Sequence, residues 1–144
     1  MGTRRAAREL ALQALYQLDV AGEEEADAGL ALFWSHFEQP PEVQRFAREL
    51  VEGVRAERAR IDRLIAASAE HWRLPRLSRV DLAVLRLATF ELLARPDIPT
   101  AVTLDEAIEL ARRFGGEDSA AFVNGVLDHI ARTAAGRVKA DGAE

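Results

Sequence analysis

From Val80 to Ala94 the chain reads VDLAVLRLATFELLA, and at helical spacing nearly every face carries an apolar residue: Val80, Leu82, Val84, Leu85, Leu87, Phe90, Leu92 and Leu93. A helix that is apolar all round holds its place only when other elements surround it. The segment therefore predicts a central helix enclosed by others. Ser78 precedes it and Asp81 follows three residues on, a pattern in which hydroxyl and carboxylate each satisfy a free backbone N–H.

The remaining hydrophobic periods supply the enclosing helices, and no segment has strand period. Leu10, Ala11, Ala14, Leu15 and Leu18 line a first helix, with Thr3 as its cap, an end near Val20 and Gly22 beyond it. Leu30, Phe33 and Phe37 make a short helix that Pro40-Pro41 stops. Val43, Phe46, Ala47, Leu50, Val51 and Val54 follow in clean helical period. Ile61, Leu64 and Ile65 keep its phase beyond a break expected between Arg55 and Arg60. Trp72 closes that segment, and Pro75 separates it from the central helix.

The stretch from 100 to 131 reads as a helical hairpin. Thr103, with Glu106 three residues on, predicts an N-cap, and Leu104, Ala107, Ile108 and Ala111 line the helix that follows. Gly115-Gly116 is expected to end it with a positive φ, and Asp118 or Ser119 to cap the next helix, whose stripe is Phe122, Val123, Val126, Leu127 and Ile130. Gly125 costs about 1 kcal/mol relative to Ala in mid-helix, so its expected use is to admit another backbone.

With 144 residues, the chain suits one core and a single domain spanning 1–144, its tail over 135–144 expected to fray. No apolar run approaches the roughly 20 residues of a membrane span, and a capped, arginine-bearing helix stands where a signal peptide would be, so a cytoplasmic protein is expected. The absence of cysteine excludes disulfides and thiolate chemistry. His36, His71 and His129 fall on three predicted helices without metal-ligand spacing, and nothing assembles a nucleophile, a base and an oxyanion donor. Catalysis, a metal site and a cofactor are therefore not expected.

One polar pattern stands out. Arg5, Arg8, Leu12 and Tyr16 recur at steps of three or four on the flank of the first helix, and Arg4 sits four before Arg8. The net charge of −5 excludes a coat of positive potential but not a local basic patch. Either the arginines are a solvated helix start, or they contact phosphates while Tyr16 stacks on an unpaired base or docks a protein.

Three segments resemble the NusB family of bacterial transcription antitermination factors: RRAARELALQALYQLD, SRVDLAVLRLATFELL, and PTAVTLDEAIELARRFGGEDSAAFVNGVLDHIA, in that order and spacing. The resemblance implies a bundle of six to seven helices in two packed subbundles. It further implies binding of the single-stranded boxA RNA of ribosomal RNA transcripts as a heterodimer with NusE, a small-subunit ribosomal protein. That pair would join the RNA polymerase antitermination complex with other Nus factors, and members of the family occur free as monomers or homodimers. By matching position, Arg4, Arg5, Arg8, Asp118 and Phe122 are implied at the RNA, Arg86 as an RNA or structural residue, and Tyr16 and Asp81 at NusE. Asp81 is shorter than the glutamate of some relatives, so its capping and partner roles compete. Two other readings differ in class. The fold is also similar to the N-terminal domain of ribosomal RNA cytosine methyltransferases, whose cofactor domain a chain ending at Glu144 is expected to lack. A helical interaction module without an RNA role is the other.

Overall fold

A computed structural model describes residues 2–69 and 77–135, and these residues fold into seven α-helices. They are α1 (Thr3–Ala21), α2 (Ala26–His36), α3 (Pro41–Ala56), α4 (Arg58–Ser68), α5 (Arg79–Ala94), α6 (Thr100–Phe114) and α7 (Ser119–Ile130). A 3₁₀ turn over Glu23–Glu25 precedes α2, and a π-helical turn over Ala131–Ala135 follows α7. His71, Trp72, Pro75 and the tail from 136 onward lie outside the described residues.

The helix that is apolar all round is the hub. α5 packs against α1 and α3 and also against α4, α6 and α7. This joins two subbundles, α1–α3 and α4–α7, as the family resemblance implies. Leu85 and Leu92 on α5 are fully buried, as are Leu50 and Val51 on α3. Burying each such side chain stabilises by about 1.5–3 kcal/mol. The six apolar positions of α3 are all buried, and the chain breaks at Glu57 between α3 and α4, within the interval the charges predict.

Local chemistry sets the ends. Ser78 Oγ accepts the Asp81 N–H at 3.0 Å, so the hydroxyl half of the expected capping box forms, while the Asp81 carboxylate makes no return bond to the Ser78 N–H. Gly22, at φ 91°, closes α1 by donating its N–H to the Leu18 carbonyl at 2.9 Å. α2 ends at His36 with Phe37 already extended, short of the expected stop at Pro40-Pro41, and Pro41 instead begins α3, where a missing N–H costs nothing.

Four expectations about helix ends and glycines are corrected. Thr3 lies inside α1, behind Gly2, instead of capping it. α6 begins at Thr100 behind Pro99, so Thr103 stands inside the helix, buried, and caps nothing. Gly115 ends α6 at φ −94° and not in the left-handed region; its need is space, because a Cβ there would lie 2.5 Å from Ser119 Oγ and 2.7 Å from the Ala111 carbonyl. Ser119 Oγ accepts the Gly116 N–H at 2.9 Å and fixes that turn, while Asp118 takes the N-cap position of α7 without a side-chain cap bond. Around Gly125 no described residue lies within 4 Å of an added Cβ, so none of their backbone takes the space that the glycine leaves.

Candidate nucleic-acid interface

The arginines of α1 divide by depth. Arg8 is buried, and its Nε and Nη2 donate to the two carboxylate oxygens of Glu91 at 2.9 and 2.8 Å. Thr103 Oγ1 completes the group, donating to Glu91 Oε1 at 3.3 Å. The trio ties α1, α5 and α6 together under a layer of apolar side chains. Arg8 was expected to contact phosphate; its side chain is only 4% exposed and its fork is filled, so it offers no free cation to RNA.

Arg4 and Arg5 are different. Arg5 is half exposed and donates from Nε and Nη2 to Glu106 of α6 at 3.2 and 3.0 Å. Its pKa is raised by that hydrogen bond and the Glu106 charge, so it is a permanent cation. Arg4, also half exposed, donates to Asp97 at 3.3 Å. Asp97 additionally receives two bonds from Arg95, which hold its carboxyl down at about 2. Beneath them lies the Phe46 ring, with the guanidinium carbons of Arg95, Arg4 and Arg8 at 5.0, 5.4 and 6.0 Å from its centroid. The electron-rich face of the ring favours such cations.

Arg86 is a structural residue. Buried on α5, it donates to both oxygens of Asp62 on α4 at 2.9 and 3.0 Å and stands 3.7 Å from Asp19 of α1. Of the two roles the resemblance leaves open for Arg86, RNA contact or structure, its burial and filled fork favour the structural one.

Tyr16 lies on another part of the surface. With Leu12, Gln13, Gln17, Val80 and Phe114 it lines an open groove of about 290 Å³. Tyr16 and Phe114 are each 41% exposed, which is unusual for two large rings on one face. Of the two residues implied at NusE, Tyr16 lines this groove and Asp81 does not; Asp81 follows Val80 in the first turn of α5. Asp81 Oδ1 is shielded from solvent and has no hydrogen-bond partner among the described residues.

Asp118 and Phe122 open α7, beyond the C-terminal end of α6. Asp118 is exposed; Phe122 is half-buried against the core. The carboxylate partners of Arg4, Arg5 and Arg8 stand instead on the turn before α6, on α6 and on α5. Arg113, near the end of α6, pairs with Glu9 of α1. Among the described residues no set of His, Asp and Glu could hold a metal ion, and no helix is long and apolar enough to cross a membrane.

Glu91, Phe46, Phe114 and Glu106 all belong to these groups, yet sequence reasoning assigned the first three no site role and Glu106 only a cap. Glu91 carried the clearest signal, as the single carboxylate inside the apolar run LRLATFELLA, where a charge requires a partner. Phe46 had none, since its spacing fits an ordinary core position.

The family model for the NusB family matches residues 5–132. The transcription antitermination protein NusB of Myxococcus xanthus is 53% identical over 135 residues, covering 91% of this chain and 96% of that protein. The structure of T. maritima NusB aligns with TM-score 0.85 at 41% identity, covering 96% of each chain. A chain in the structure of antitermination factors NusB and NusE in complex with double-stranded RNA aligns with TM-score 0.79 at 26% identity, covering 92% of this chain and 98% of that one.

Proposed function

Because this chain belongs to the NusB family, we propose that it acts in transcription antitermination by binding boxA RNA of ribosomal RNA transcripts together with NusE. The observation that carries this reading is the open groove between Tyr16, Val80 and Phe114, on a fold whose relative is found with NusE and RNA. Tyr16 and Phe114 would be covered by NusE. Arg4 and Arg5 would hold phosphates, which position an RNA without reading it, and the Asp118–Phe122 edge would face unpaired bases. The assembled pair would then load onto RNA polymerase with other Nus factors, in the cytoplasm and without catalysis by this chain.

Filter binding of boxA and scrambled RNA, with and without NusE, tests the reading. The expected result is preferential retention of boxA, strengthened by NusE; equal retention of both RNAs would refute it. Two phosphate contacts, with Arg8 withdrawn, give a single-strand salt slope contribution of about −1.4, which the double change Arg4→Ala, Arg5→Ala removes.

A further inference from the structure

Among the described residues, four arginines grip a carboxylate with two hydrogen bonds: Arg8 on Glu91, Arg86 on Asp62, Arg95 on Asp97 and Arg5 on Glu106. The side chains of the first three are 4%, 9% and 22% exposed, and they knit helices or a turn together. Arg5 is 49% exposed, while Glu106 beneath it is 19% exposed and anchored on α6. Glu106 therefore occupies the Nε and Nη2 edge of a guanidinium that solutes can reach. That edge is also the one a phosphate takes when it is gripped in two-pronged fashion. A carboxylate and a phosphate cannot both fill it.

We propose that Glu106 is an internal competitor of RNA phosphate at Arg5, setting the sequence-independent part of the chain's RNA affinity. The proposal rests on the reading that Arg5 faces RNA. Each RNA that binds must displace Glu106 or share Arg5 with it, and must also come close to its negative charge. Phosphate contacts carry no sequence information, so this competition weakens every RNA by the same factor. Discrimination is left to the base-facing edge, and attachment to the bulk of cellular RNA is held down. Glu106 is thus a positioning residue whose effect passes through Arg5.

The test is a cycle of three variants, Glu106→Gln, Arg5→Ala and the double change, each in complex with NusE and titrated with boxA and with scrambled RNA. Gln keeps the length and the acceptor oxygen of Glu and removes its charge. Glu106→Gln is expected to tighten both RNAs by the same factor, roughly two- to fivefold for release of an exposed ion pair. In the Arg5→Ala background the gain should vanish. A gain that persists without Arg5 would mean general repulsion and overturn the proposal, as would unchanged or weaker binding by Glu106→Gln when Arg5→Ala itself weakens binding. If Arg5→Ala left both RNAs unaffected, the phosphate-contact reading of Arg5 would fall, and the proposal with it. Thermal melts of each variant, expected to match the parent because the pair is exposed, keep folding out of the comparison.

Discussion

Arg8 and Glu91, 83 positions apart, face each other across α1 and α5 through two parallel hydrogen bonds of 2.9 and 2.8 Å, with 4% and 2% of their side chains exposed. This pair decides what the arginine stripe of α1 is. Arg4 and Arg5 stay at the surface, while Arg8, one turn on, is drawn into the seam between the two subbundles.

Breaking such a pair from one side strands the other charge. Arg8→Ala is expected to cost about 3–5 kcal/mol in urea unfolding, and Glu91→Ala a similar amount. Replacing both by apolar residues, as in Arg8→Met with Glu91→Leu, should recover most of that loss, because no unpaired charge remains. The double variant should also bind RNA like the parent. A folded double variant with greatly weakened RNA binding would return Arg8 to the phosphate-contacting group.

Asp97 gives a pH signature at the same end of the molecule. Hydrogen bonding from Arg95, helped by the charges of Arg95 and Arg4, lowers its carboxyl from 3.8 to about 2. A depressed folded-state value means stability that is fully present above about pH 4 and is lost as pH falls toward 2. The side chain is half exposed, so after solvent screening the contribution is under about 1 kcal/mol. Asp97→Asn should flatten stability over that window and leave it unchanged near neutrality apart from this small loss. Urea midpoints taken between pH 2 and 5 check it, and an unaltered pH slope in the variant would count against the Arg95 contact.

The parts of this fold legible in the sequence were those that one helix dictates for itself. α5 is apolar on all faces, so it must be central, and the period of α3 names its buried residues without knowing what they touch. Arg8 was illegible because its burial depends on Glu91, a partner that period cannot supply. Thr103 failed for another reason: a Ser or Thr three before a Glu fits a helix interior as well as a cap, and Pro99, already at φ −58°, lets α6 start earlier. Half of the groove was visible as Tyr16. Phe114 was not, because only the packing of α1 beside the end of α6 brings the two rings to one surface.

That groove gives the third expected outcome. Tyr16→Ala and Phe114→Ala should each weaken NusE binding in calorimetry by about 1–2 kcal/mol, near tenfold, as aromatic anchors of an interface do. Both side chains are substantially exposed in the free chain, so their removal should change unfolding free energy by no more than about 0.5 kcal/mol. Unchanged affinity in both variants would place NusE elsewhere on the molecule.

Two glycines in helix interiors should respond in opposite directions to the same methyl group. At Gly125 on α7 an added Cβ meets none of the described residues within 4 Å, so Gly125→Ala is expected to keep the helix-propensity gain and stabilise by about 1 kcal/mol. At Gly53 on α3 the Cβ would lie 2.1 Å from the tip of the Phe90 ring on α5. The ring must move, and the cost of such overpacking, about 1–3 kcal/mol, offsets the propensity gain or exceeds it. Gly53→Ala should therefore be neutral to destabilising in the same unfolding assay, and Phe90→Leu beside it should restore the gain by clearing the space. Equal stabilisation by both alanines would show that α3 and α5 are not in close contact at this point.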